Sequence, residues 1–172
     1  MDIIIRTATE KDYSQLAKLY DELNKMHSKA LPHLFVKTSK TPQDLAYVRG
    51  ILKNKNAVLF VAQSGEEIMG FIEATVRQPP DHPEAVKKNY ACVNDICVKN
   101  AYRRSSIGKK LMEAVEKWSI ATGLSQIELN VWDFNKSAMA FLGNTGFKPL
   151  HHIMEKNLKN VRPKAVLPAS KR

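Results

Sequence analysis

The chain has 172 residues, with 27 Lys and Arg against 17 Asp and Glu, and so a formal net charge of +10. A composition of 44% apolar and 26% charged residues excludes global disorder, and the length suits one domain with a real hydrophobic core. No apolar run reaches the roughly 18–20 residues that cross a bilayer, and the start Met-Asp-Ile-Ile-Ile-Arg lacks the basic and apolar regions of a secretory signal, so a cytoplasmic protein without a membrane partner is expected.

Residues 3–6 form a short β-branched run that predicts a first strand. Thr9-Glu10-Lys11-Asp12 then sets an N-cap threonine three residues before an acid, and Leu16, Leu19, Leu23 and Met26 behind it line one face of a helix. Thr41-Pro42 reads as the start of a second helix striped by Leu45, Val48 and Leu52. Two apolar runs, 57–62 and 68–76, joined by Ser64-Gly65-Glu66-Glu67, predict a hairpin. A proline-rich loop at 78–83 leads to a strand over 90–98. Ile107, Leu111, Val115 and Trp118 mark a helix ending near Gly123, with Trp118 in the core. A strand over 127–131, a helix over 135–142 and a last strand over 151–158 complete the chain.

The order β-α-α-β-β-β-α-β-α-β predicts a mixed α/β (α+β) sheet with helices on its faces and excludes an all-helical bundle or a sandwich. Residues 1–158 are expected as one domain, followed by a basic, proline-containing tail over 159–172 that docks in extended form. Cys92 and Cys97 lie five residues apart in one strand. They are expected on opposite faces, unable to bridge, as reduced thiols.

A pI near 9.6 suggests a polyanionic partner. However, residues 156–172 hold six bases and no acid; without them 21 bases face 17 acids, a body of only +4. There is no zinc pattern, no aromatic RNA-binding strand and no helix lined with bases, so nucleic acid is not the expected partner.

The chemistry concentrates where the strand ending at Val98 runs through Tyr102-Arg103-Arg104-Ser105-Ser106-Ile107-Gly108-Lys109-Lys110 into a helix. A helix's first turn leaves backbone N–H groups without partners and carries partial positive charge, which suits phosphate. Ser106 and Gly108 keep side chains small there, and Arg103, Arg104, Lys109 and Lys110 supply counter-charge. The plain alternative is a solvated basic surface. Neither a P-loop nor a dinucleotide fingerprint is present.

Arg103-x-x-Ser106-x-Gly108, between Val98 and Leu111, resembles the acetyl-CoA signature Gln/Arg-x-x-Gly-x-Gly/Ala of the GNAT N-acetyltransferase superfamily. The resemblance extends to Ile5-Arg6-x-Ala8-x-x-x-Asp12, to the hairpin with Ile68-Met69-Gly70-Phe71, and to Asn135-x-x-Ala138-x-x-Phe141 with Gly146-Phe147. It implies a mostly antiparallel, splayed sheet with CoA between the strand ending at Val98 and the strand near Asn130. Backbone groups of Ile96, Cys97 and Val98 would pair with the pantetheine. Arg103, Arg104, Ser105, Ser106, Ile107, Gly108 and Lys109 would hold the pyrophosphate, and Asn135 would position the pantetheine.

Two positions depart from the pattern. Ser106 stands for the first glycine of the signature, which requires its backbone to avoid φ > 0. Leu142 stands where many members carry a tyrosine that protonates the leaving thiolate, leaving the general acid unassigned.

The activity implied is acetyl transfer from acetyl-CoA to a primary amine of a small molecule, by direct attack in a ternary complex and without a metal. The alternatives are a protein or peptide N-acetyltransferase, a non-catalytic acyl-CoA binder, and a basic nucleic-acid-binding module. Asp95 and Glu73, acids inside apolar strands, are the candidate bases. His33 and Phe35, in the connection between the first helices, are candidates for the acceptor wall. Tyr20 and Tyr47 are candidate substitutes for the missing acid, and Trp132 could line the pantetheine channel. His151-His152 have only Glu155 near them, which is no metal site. The resemblance also implies a homodimer, with the interface left open by the residues.

Overall fold

Five strands in the order β1-β2-β3-β4-β5 carry the fold: β1 (Ile4–Thr7), β2 (Ala57–Ser64), β3 (Glu67–Arg77), β4 (Tyr90–Val98) and β5 (Ile127–Leu129). The first three pairings are antiparallel, and β4 and β5 run parallel. The structure, a computed structural model, describes residues 2–37, 43–79, 81–84 and 86–157. It divides into two units, Met1–Lys136 and Ser137–Arg172, and the sheet belongs to the first.

Three helices accompany the sheet in that unit: α1 (Tyr13–Ala30), α2 (Leu45–Lys53) and α3 (Ile107–Ala121). Leu16, Leu19 and Tyr20 of α1, with Val48 and Ile51 of α2, bury against Leu59, Val61, Phe71 and Cys97 on one face. Ile107, Leu111, Met112 and Val115 of α3 are also buried, on a helix packed against β2, β3 and β4. Phe71, Ile72, Glu73 and Ala74 are consecutively buried in β3, as expected of a strand covered on both faces, and this explains its unbroken apolar run.

The opening residues act as a clamp. Arg6 grips Asp12 with two nitrogens, Nη1 to Oδ2 at 2.7 Å and Nη2 to Oδ1 at 2.8 Å. Asp12 also accepts from the Thr9 backbone N–H at 2.7 Å, so the threonine cap forms as the sequence predicts. Buried at 7% exposure, the Asp12 carboxyl is held below its ordinary range, first by the Arg6 hydrogen bonds. The second helix starts later than Thr41-Pro42 suggests. Asp44 is its cap, accepting the Tyr47 N–H at 2.8 Å, while Thr41 and Pro42 lie outside the described residues.

Gly70 has a purpose that its neighbours define. A Cβ there would stand 2.7 Å from the Cys97 carbonyl oxygen and 3.2 Å from Val98 Cα. Only glycine lets β3 and β4 approach this closely at the end of β4.

Two expectations about strands fail. Glu73 pairs with Asp95, but Ala74 pairs with Val93, so Asn94 is an extra residue in β4, a bulge. The extra residue reverses the alternation. Cys97 opposes Phe71 and Cys92 opposes Thr75, so the two cysteines lie on the same face rather than opposite ones. Both are buried and free.

The predicted last strand does not form in the described residues 151–157, where Ile153 and Met154 are 87% and 91% exposed. β-favouring residues make a strand only when an edge pairs with them. Leu158 and the tail 159–172 lie outside the described residues. The second unit holds most of helix α4 (Lys136–Asn144), which carries Leu142 and is followed by Gly146 with φ +92.

Candidate active site

Glu73 and Asp95 are cross-strand partners, so their side chains project from one face, the face covered by α1 and α2. Glu73 is 1% exposed. Its two oxygens accept from three residues on three elements: Tyr20 Oη at 2.8 Å from α1, Tyr47 Oη at 2.9 Å from α2, and Asn94 Nδ2 at 2.9 Å from the bulge. An unmatched buried carboxylate would cost several kcal/mol; here each oxygen has at least one donor.

Asp95 has a different environment. Burial first, and the neighbouring Glu73 charge second, push its carboxyl up to about 7. A carboxyl with that affinity exchanges protons at neutral pH. The same burial and the same Glu73 charge raise the phenols of Tyr20 and Tyr47, and both hydroxyls are already donated to Glu73. Neither is poised to protonate a leaving group.

Beyond Val93 β4 leaves its neighbour. The pairing with β5 ends at Val93 opposite Leu129, while β4 continues to Val98. That divergence is the splay. The Lys99 N–H donates to the Met69 carbonyl at 2.9 Å, so antiparallel alternation turns the Cys97 backbone toward β3 and the Ile96 and Val98 backbones toward the open edge. Ile96, and Val98 through its N–H, thus offer strand-like pairing groups to an extended ligand. Arg103 Nε occupies the Val98 carbonyl at 3.1 Å, and its Nη2 donates to Glu22 of α1 at 3.0 Å. Arg103 braces the end of β4 in addition to supplying charge. Cys97 contributes its side chain, which faces Glu22, Met26 and Lys29 of α1 in a cavity of about 350 Å3. Burial, then Glu22, pushes this thiol up to about 12, so it is no thiolate at neutral pH.

The junction before α3 turns through two left-handed residues, Arg104 at φ +63 and Ser106 at φ +64. The expectation that Ser106 avoids positive φ is therefore wrong. The turn keeps the glycine conformation although the residue has changed, at a cost of order 1–2 kcal/mol. The Ser105 hydroxyl donates to the Tyr102 carbonyl and fixes the loop. The first helical bond is Lys110 N–H to the Ser106 carbonyl at 3.0 Å, so Ile107, Gly108 and Lys109 present the unpaired N–H groups of a helix start. Arg104, Ser105, Ser106 and Lys109 are exposed around them. This arrangement fits a pyrophosphate.

The remaining candidates separate. Asn135 directly follows the segment after β5, its N–H donating to the Trp132 carbonyl at 2.9 Å. Phe35 stacks on His27 at 5.3 Å and meets the edge of Trp132 at 5.4 Å, joining the segment after α1 to the segment after β5. Phe134 adds an edge contact to His27 at 6.0 Å. His33 sits on an exposed turn. Among the described residues no cluster of His, Cys, Asp or Glu could hold a metal ion.

Sequence reasoning misses Asn94 and Arg77, and it casts Tyr20 and Tyr47 in the wrong role. Asn94, Arg77 and Tyr47, with Glu73, Thr75 and Asn130, line a cavity of about 460 Å3 on the same face, spanning β3, β4 and the residue after β5. Only the bulge brings Asn94 there, and a bulge leaves no local signal.

Residues 16–147 match the acetyltransferase (GNAT) family. An L-ornithine N5-acetyltransferase of Arabidopsis thaliana is 33% identical over 67 residues, 39% of this chain and 29% of that protein, so the match spans under a third of that relative. A mutant of the BH1408 protein from Bacillus halodurans superposes with a TM-score of 0.85 at 26% identity, covering 90% of this chain and 99% of that one. The aminoglycoside acetyltransferase AAC(6')-Iy, solved with a CoA-linked bisubstrate analogue, has a TM-score of 0.74 at 16% identity over 91% of this chain and 98% of its own, a likeness of fold.

Proposed function

The chain belongs to the acetyltransferase (GNAT) family, and from that premise we propose that it moves the acetyl group of acetyl-CoA to a primary amine of a small molecule by direct attack. The observation that carries this reading is the placement of Asp95, a half-buried carboxyl with a proton affinity near neutral, on β4 where that strand parts from β5. The splay supplies room for a thioester beside a base.

When bound, acetyl-CoA supplies an activated carbonyl whose sulfur is a fair leaving group, since a thiol of this kind has a pKa of roughly 8.5. The chain's residues supply the rest. Ile96 and Val98 offer the edge that orients an extended chain, and the first turn of α3 with Arg104 and Lys109 offers donors and charge to the phosphates. Asp95 would take a proton from the acceptor's ammonium, directly or through a water, so that the neutral amine can attack the acetyl carbon; as the C–S bond breaks, the nitrogen's second proton passes through solvent to the departing thiolate. Glu73, its oxygens occupied by Tyr20, Tyr47 and Asn94, positions Asp95 and tunes it. The raised Cys97 thiol argues against a covalent acetyl-cysteine and for transfer in one complex.

The family's ornithine-acetylating and aminoglycoside-acetylating relatives support a small-molecule amine as acceptor. The experiment is acetyl-CoA consumption over a panel of primary amines, read as free thiol and as product mass. Amine-dependent thiol release with an acetylated product is expected. Thermal stabilisation by acetyl-CoA without turnover of any amine would overturn the reading.

A further inference from the structure

We propose that the acceptor is an amine bearing a carboxylate at its far end, and that Arg77 selects it. The proposal rests on the amine-acetyltransferase reading and adds the chemistry of the acceptor's other end.

Glu73, Thr75 and Arg77 follow one another at every second position of β3, so all three face one cavity, and Asp95 is the cross-strand partner of Glu73 at its inner end. The bulged Asn94 ties them together. Its Nδ2 donates to Glu73 Oε1 at 2.9 Å, its Oδ1 accepts from Arg77 Nη2 at 3.1 Å, and Thr75 Oγ1 stands 3.3 Å from Nδ2. A carboxylate and a guanidinium are thereby held at opposite ends of one carboxamide. The cavity's charge is dipolar: negative at the buried Glu73, positive at the exposed Arg77.

Asn94 takes one N–H of Arg77, and the guanidinium makes no ion pair among the described residues. The carboxylate of Glu128 on β5 accepts from Gln126. The rest of the fork is suited to a planar anion, which a carboxylate matches with two parallel hydrogen bonds. A ligand with an ammonium at each end would meet like charge at Arg77. One with an apolar tail would leave the guanidinium unmatched. A short amine with a terminal carboxylate complements both ends.

The test compares three acceptors of one chain length under acetyl-CoA: 5-aminopentanoate, pentylamine and 1,5-diaminopentane. The intact protein is expected to acetylate 5-aminopentanoate with a kcat/KM at least about tenfold above pentylamine, with the diamine last. Arg77→Ala should lower kcat/KM for 5-aminopentanoate at least about tenfold and raise it for the diamine, mostly through KM, and Arg77→Lys should restore part of the preference. Equal or better use of the diamine by the intact protein overturns the proposal and leaves the acetyltransferase reading standing. So does an Arg77→Ala loss that is the same for all three acceptors. Failure to acetylate any of the three while other amines of a broader panel react also overturns the proposal alone; failure of every amine removes both.

Discussion

The junction between β4 and α3 and the carboxylate pair between β3 and β4 solve opposite problems. The junction is exposed, basic and built from one stretch of chain; it presents N–H groups and cations to a ligand that brings its own negative charge. The carboxylate pair, a buried Glu73 beside a half-buried Asp95, is acidic and assembled from α1, α2, β3 and β4, with every Glu73 oxygen matched internally. Charge is inexpensive where water shares it, so the junction tolerates substitution, even serine in a glycine conformation. Charge under a helical layer requires each partner in place, so the pair has little freedom.

The largest effect is expected inside the carboxylate pair. Asp95→Asn should lower kcat/KM by about 10²–10⁴, measured with saturating acetyl-CoA, while the dissociation constant for acetyl-CoA changes little. Gly70→Ala tests how tightly the two strands are held beneath that pair. The new methyl meets the Cys97 carbonyl at 2.7 Å, and the backbone shift should cost about 1–3 kcal/mol, seen as a lower denaturation midpoint.

Glu73→Gln sharpens the contrast further. With the neighbouring charge gone, the Asp95 titration should move below 7 but stay above an exposed aspartate, because burial, the larger cause, persists. Folding stability has the matching sign. Asp95 binds its proton more tightly folded than unfolded, so its contribution is full below about pH 4 and is lost as pH rises through about 7. The smallest effect belongs to the exposed junction. Ser106→Gly should relieve the left-handed strain and stabilise the protein by up to about 1 kcal/mol, with acetyl-CoA affinity retained. A strong loss of affinity there would show that the serine hydroxyl, rather than the turn, holds the phosphate.

The difference between the regions also explains what the sequence discloses. The junction is legible because its signals are local: Arg103, Ser106 and Gly108 stand at fixed spacing before an amphipathic helix, and α3 forms where Ile107, Leu111 and Val115 predict it. The strands β2, β3 and β4 are legible for the same reason, being continuous apolar runs. The acids Glu73 and Asp95 stand out singly as polar residues in apolar strands. Their pairing does not, because register joins them across some twenty residues. The Asn94 bulge, which sets both cysteines on one face and swings the amide between Glu73 and Arg77, is written in no local pattern. Tyr20 and Tyr47 look like acids in the chain and prove to be donors to Glu73 once α1 and α2 pack. The last strand fails for the converse reason: the local pattern of residues 151–157 favours a strand, and no edge pairs with it among the described residues.

The central claim is that Asp95 accepts the acceptor's proton, and the pH dependence of kcat/KM tests it most directly. The intact protein should show a rate rising with pH through an apparent pKa of about 7, and the residual activity of Asp95→Asn should lack that limb. A profile flat from about pH 5 to about pH 8, or the same limb surviving in Asp95→Asn, would contradict the account.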